Sequence, residues 1–499
     1  VDKNIFIGID LGTTGMKIIM MQDNGDIIDK KYIDYQISSP KAGYAEQRPA
    51  DWWDGLCKIS RELIEKNSHV TKQIAGIGIT GQMHTQVYLD ENGRPLRDAI
   101  TWMDQRCQSL VEEINKENRE TIFEHTSNYL TTTYTAPHIV WVKRNQPDLY
   151  KKTDKILLAK DYLKYKLTGE MATDYSDAVG TLLFDVAAKK WSDEMFELFR
   201  IKKSLMPEAD KSAVIIGQVT DKASKLTGIP KGVPVINGCA DQAATSLGAG
   251  VTKAGEVSAI IGTAGVISVL SDRPLPDQNN GTSCWNYCLD DKWINLGIMQ
   301  TSGESLNWFK RAFDNKRDND IFKSYDQEAN KIPDGSEGLI FLPYLMGERT
   351  PYWDSNARGV FFGINLNHQK YHFVRAIMEG VGFAFKNNLE LIESLGVEIK
   401  ELRLLGGGSK SFIWKEILAK ILNKKITTVQ VEETGALGSS ILCGLALGIY
   451  EDADRACNEL VNTGENYYQE KIPAVYKNNY QIFKELYPNL KDLYKKLDN

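Results

Sequence analysis

The octet Asp10-Leu11-Gly12-Thr13-Thr14-Gly15-Met16-Lys17 sets two glycines, two hydroxyls and a lysine directly after a strand-like run. Glycine lets main-chain N–H groups approach phosphate oxygens closely, and threonine hydroxyls add donors. Thr13, Thr14 and Lys17 are therefore candidates for holding a phosphate chain. Asp10, at the strand end, would face a metal ion through water, because Mg2+ dehydrates reluctantly. A lone Gly-Thr turn is more often a plain tight hairpin. A second one, Gly262-Thr263-Ala264-Gly265, stands at an equivalent point of the other half. Two such turns facing each other across a cleft make a nucleotide clamp.

Two further segments carry chemistry. Leu404-Leu405-Gly406-Gly407-Gly408-Ser409 lies between a strand and the helical stretch Phe412 to Leu422. Its three glycines permit close backbone approach to a flat or bulky ligand, which makes them a candidate adenosine cradle. Alone they would read as a flexible connection. In Asn237-Gly238-Cys239-Ala240-Asp241-Gln242-Ala243-Ala244, an aspartate sits between an apolar run and a helix start. Asp241 there is either a helix N-cap or an accessible carboxylate able to take a proton from a hydroxyl.

The elements that must position these groups follow from periodicity. Asn4 to Asp10 reads as a buried strand, Met16 to Met21 as its return, and Ile27 to Ile37 as a third strand after the Asp23-Asn24-Gly25-Asp26 turn. Pro49 opens a helix whose apolar stripe is Trp52, Trp53, Leu56, Ile59, Leu63 and Ile64. Ile74 to Ile79 suits a covered, parallel strand. Glu256 to Ile261 and Val266 to Leu270 repeat the strand, Gly-Thr turn, strand pattern. The expectation is one α/β fold used twice, with mixed sheets backed by helices and a cleft between the copies. Residues 1–250 form the first unit and 251–499 the second, with a hinge in the Gly-rich stretch Gly248 to Ala254.

Other classes are excluded by pattern. No G-x-x-x-x-G-K-[ST] run occurs among the 499 residues, so this is not a P-loop NTPase. A net charge of −6 gives no basic footprint for nucleic acid. The seven scattered cysteines predict reduced thiols rather than a disulfide framework. No apolar run reaches membrane-spanning length. The expected location is the cytoplasm. His368 and His372, four apart, read as two surface histidines on a helix. A homodimer is compatible with the sequence and not required by it.

These segments together resemble the FGGY carbohydrate kinases along nearly the whole chain. The match is carried by DLGTTGMK, NGCADQAA, IIGTAG, LLGGGSKS and the stretch from Gly359 to Glu379. His138 stands where the family's N-terminal signature has a lysine. The resemblance implies two actin-like (ribonuclease H-like) domains, ATP and Mg2+ as cofactors, and a small sugar as substrate. It implies Asp241 as general base, with Gln242 at the sugar. The loop Thr80-Gly81-Gln82-Met83-His84 is most similar to the family's pentulose kinases, placing Gln82, Met83 and His84 at the sugar and Trp102 as its wall. By that likeness the reaction is D-xylulose to D-xylulose 5-phosphate. Thr85 and Gln242 depart from the pentulose-kinase pattern, which leaves gluconate, ribulose and glycerol-like acceptors open. A non-catalytic actin-like ATP-binding module is the alternative of another class.

Overall fold

The computed structural model describes residues 4–279, 281–314 and 320–497. Two seven-stranded mixed sheets form its frame, and their main strands run in the same order. In the first, Ile27–Asp34, Gly15–Gln22, Ile5–Leu11, Ile74–Gly81, Pro234–Ile236 and Ile215–Gln218 lie side by side. In the second, Trp293–Met299, Gly265–Ser271, Glu256–Ile261, Glu401–Leu405, Lys425–Val429 and Thr463–Tyr467 do the same. Each series pairs antiparallel, antiparallel, parallel, parallel, antiparallel. One fold is used twice.

The third strand ends at Asp34 rather than Ile37. The expected equivalence of the turns also needs adjustment. Leu11 faces Met16 across the first hairpin, but Ile261 faces Gly265 across the second, whose connection is one residue tighter.

Alternation along Ile5–Leu11 explains how its strand serves two layers. Ile5, Ile7, Ile9 and Leu11 join a core with Trp52, Leu56 and Leu63 of helix Pro49–Lys66. Proline at the first turn of that helix costs no hydrogen bond, since its N–H would be unpaired anyway. Phe6, on the opposite face, packs with Ala436, Leu437 and Ile441. Those residues belong to helix Thr434–Ala446, a late segment that crosses back onto the first sheet. The crossing is so close that a Cβ on Gly8 would lie 2.3 Å from the Ala436 carbonyl oxygen. One on Gly78 would lie 1.9 Å from that of Ser439. The same helix meets helix Asp241–Gly248 through Gly438 and Gly248, each of which has no room for a side chain.

A small four-stranded sheet (Glu46–Gln47, Ala99–Ile100, Gln86–Leu89 and Lys155–Leu158) is inserted in the first half. Among the described residues no helix is long and apolar enough to cross a membrane. The two-histidine expectation is corrected. Helix Lys370–Ser394 begins after His368, and His372 is buried in its first turn, where Nδ1 accepts from the Gln369 N–H.

Candidate active site

Three chain segments leave the carboxyl ends of adjacent parallel strands at one place. Asp10 and Leu11 pair with Thr80 and Gly81, and Cys239 and Ala240 pair with the same two residues from the other side. The Thr13 turn, the Gln82-Met83-His84 loop and Asp241 therefore diverge from one edge, where open α/β sheets present their ligand crevice.

Asp241 is the first residue of helix Asp241–Gly248, whose N-cap is Ala240 and makes no side-chain cap bond. The N-cap alternative is thus not realised. Burial pushes the Asp241 carboxyl up to about 8, helped by the negative charges of Asp10 and then Asp177. Burial likewise raises Asp10 to about 6, against the pull of Lys17 across the hairpin. Gln242 follows with its Oε1 buried and unpartnered among the described residues, an acceptor left open beside Asp241.

The sugar-loop residues divide into outward and inward groups. His84 has a positive φ of 65° and lies 2.7 Å through Nδ1 from the Gly180 carbonyl oxygen. A carbonyl only accepts, so Nδ1 carries the proton and Nε2 is the open acceptor. Burial depresses the ring to about 4, so it is neutral. Met83 packs with Ala178 and Val179. Gln82, expected at the sugar, is tied into hydrogen bonds of the protein's own. Its amide is buried, Nε2 donates to Gln47 Oε1 at 2.8 Å, and Oε1 accepts from Thr85 at 3.2 Å. Gln47 in turn donates to the Thr13 carbonyl at 2.6 Å. The Trp102 indole donates to the Thr13 hydroxyl at 2.9 Å, so the aromatic wall and the first turn are tied together.

A cavity of about 1130 Å³ lies against this edge, lined by Asp10, Gly12, Thr14, Lys17, Gly406 and Gly407, with Glu433 on its rim. It joins the first turn to the glycine loop across the two halves. Gly262, Thr263 and Gly408 do not line it. The Thr263 and Gly262 carbonyls accept from Ser302 and Gly303 at 3.0 and 2.7 Å. Cβ atoms on Gly406 and Gly408 would meet Ile261 at 2.6 and 2.3 Å, so these two glycines also answer to packing. Only at Gly407 would a side chain enter open space.

Sequence reading missed the support under Asp241. Lys160 Nζ lies 2.7, 2.9 and 3.0 Å from carboxylate oxygens of Asp161, Asp174 and Asp177, all with no exposed side-chain surface. Burial alone would depress this lysine, but the three carboxylates outweigh it and hold its pKa well above the ordinary value. Asp174 accepts from Ser176, whose Oγ accepts the Ala240 N–H at 2.9 Å. Lys164 donates to the Asn237 carbonyl at 2.9 Å. The network thus fixes the backbone on both sides of the turn into Asp241. The available signal was charge inside apolar runs, in AKDYLKYKL and TDYSDAVG. Arg349, which lies over the Trp102 ring at 5.9 Å, was missed as well.

The domain models of the FGGY family of carbohydrate kinases match residues 5–248 (N-terminal) and 257–447 (C-terminal). The chain belongs to this family. Its FGGY relatives include the xylulose kinase of Lactococcus lactis, 34% identical over 491 residues, covering 98% of this chain and 97% of that protein. The solved structure of xylulose kinase from Rhodospirillum rubrum superposes with a TM-score of 0.91 at 29% identity, over 98% of this chain and 99% of that one. Gluconate kinase from Lactobacillus acidophilus gives 0.93 at 26% identity, over 99% and 100%. The doubled sheet described above is the actin-like fold of these FGGY kinases.

Proposed function

We propose that this chain transfers the terminal phosphoryl group of ATP to a hydroxyl of D-xylulose, giving D-xylulose 5-phosphate. The observation that carries this reading is the convergence of Asp10, the Met83-His84 loop and Asp241 at the ends of three adjacent strands, beside a nucleotide-sized cavity. The xylulose kinases among its relatives support the choice of acceptor. Residues 1–250 supply the acceptor site and the first phosphate turn, and 251–499 the nucleotide side.

In this mechanism His84 Nε2 and Gln242 Oε1 accept hydrogen bonds from sugar hydroxyls, and Trp102 walls the ring of contacts. Asp241, when ionised, takes the proton of the terminal hydroxyl as that oxygen attacks the phosphorus in line. Thr13, Thr14, Lys17 and Thr263 hold the phosphate chain, and Gly407 lets the nucleotide lie close. Asp10 fits a divalent cation, being a desolvated carboxylate whose charge also weighs on Asp241. Among the described residues no group of three or more His, Cys, Asp or Glu is placed to hold a metal. Mg2+ bound there would neutralise phosphate charge. Excluding water protects ATP from idle hydrolysis.

The test is a coupled ADP-release assay with D-xylulose, D-ribulose, D-gluconate and glycerol. Sugar-stimulated turnover greatest with D-xylulose is expected. Turnover greatest with gluconate would reassign the acceptor. ATP binding with no stimulation by any of them would favour a non-catalytic ATP-binding module.

A further inference from the structure

Two other arginines of low exposure are ion-paired. Arg106 meets Asp104 and Glu46, and Arg375 meets Asp334 and Glu379. Arg349 is half-buried, and among the described residues no carboxylate pairs with its guanidinium. Its neighbour Glu348 acts on the guanidinium through space but makes no ion pair with it, its Oε1 being turned to the backbone. Glu348 Oε1 accepts from the N–H groups of Gln300 and Arg349, both at 2.8 Å, and burial pushes the carboxyl up to about 8.

The backbone around Arg349 is stitched down. Glu348 exchanges two hydrogen bonds of 2.9 Å with Asp354, and Thr350 donates to the Ile298 carbonyl at 2.9 Å while its hydroxyl accepts from the Ile298 N–H. The guanidinium is thereby carried from the second half over the Trp102 ring of the first. Its charge opposes protonation of His84, whereas the charges that weigh on Asp241 are those of Asp10 and Asp177. Arg349 therefore stands against the Trp102 wall, within electrostatic reach of His84.

We propose that Arg349 is a specificity residue that binds an sp2 oxygen at the non-reacting end of the acceptor, either a ketose carbonyl or an aldonate carboxylate. A guanidinium offers a rigid fork of donors suited to such oxygens. Left desolvated and unpaired, it penalises acceptors that lack one, since a site built for a hydrogen bond rejects the analogue that cannot make it. A polyol of the same length is then excluded although all its hydroxyls fit. This rests on the reading of the site as a sugar kinase.

The test compares D-xylulose, D-gluconate and xylitol with wild type, Arg349→Gln and Arg349→Lys, taking kcat/KM for the first two and the competitive inhibition constant for xylitol. Arg349→Gln should lose about a hundredfold in kcat/KM for the preferred acceptor, while its affinity for xylitol rises, because the penalty for an unmatched guanidinium is gone. Arg349→Lys keeps the charge without the fork, so any carboxylate acceptor should suffer less in it than the ketose. Equal losses for acceptor and xylitol affinity, or a fall in kcat with both affinities intact, would overturn the proposal in favour of a role in shape or in phosphoryl transfer. Unchanged kinetics in both variants would overturn it too. A wild type that phosphorylates none of the panel would sink the underlying reading instead. Matching thermal midpoints establish that the variants are folded, and the lysine variant suffices should the glutamine one not fold.

Discussion

The two halves share a strand order but not a chemistry. Two residues before its turn glycine the first hairpin has Asp10, and the second has Ile260. The first places Lys17 on its return strand, where the second has Val266 and Ile267. Beneath the first lies the Lys160 network, and beneath the second lie Leu306 and Phe309 in an apolar core. A duplicated frame thus carries ionisable groups at the turn of one half and apolar ones at the turn of the other. The second half in turn carries Arg349 over the Trp102 ring of the first.

Substitutions can break this contrast, beginning with the largest effect. Asp241→Asn should retain binding of both substrates and lose about a thousandfold or more in kcat, because an amide cannot take the proton. Thr263→Ala, on the neutral half, should cost about tenfold, chiefly in KM for ATP. Comparable losses in the two variants would erase the asymmetry. Next, Lys160→Met leaves Asp161, Asp174 and Asp177 buried around no cation, and should cost about 3–5 kcal/mol of stability. Denaturant midpoints would report this, and a change below about 1 kcal/mol would show that the network is spectator to folding.

Smaller effects sharpen the comparison. With Asp241 held near 8 in the free protein, kcat/KM should rise with pH across the range below that value. Asp177→Asn removes one of the negative charges that raise it, so the acid limb should move to lower pH by about half a unit. A limb that stays, or moves upward, would separate Asp177 from the base. His84→Ala should raise KM for the sugar about tenfold and leave KM for ATP nearly unchanged. Because burial depresses His84 to about 4, sugar affinity in the wild type should show no step near pH 6.5. Parallel rises in both constants would mean the loop supports the fold instead.

Much of the frame was legible from local pattern. Strands around the Gly-Thr turns, helix Pro49–Lys66 and the helix start at Asp241 all follow from alternation, proline placement and small residues. The Gln47 partner of Gln82 was not legible, because spacing beside Met83 and His84 says nothing of a residue that folds in from another strand. At Gly406 and Gly408 the packing demand of Ile261, from a distant segment, was likewise hidden. Arg349 and Lys160 escaped for the same physical reason. A charge's partners, or their absence, are tertiary facts, and the residues concerned lie far apart along the chain.

The return of helix Thr434–Ala446 onto the first sheet has a consequence for how the protein is made. Strand Ile5–Leu11 leaves the ribosome long before the helix that covers its Phe6 and Gly8 face, which comes more than four hundred residues later. At about 5–20 residues per second, that face waits tens of seconds for its partner. The first half cannot complete itself as an independent unit during synthesis. Nascent chains arrested before residue 434 should expose an apolar sheet face to chaperones, and the whole molecule should acquire protease resistance late and in one step.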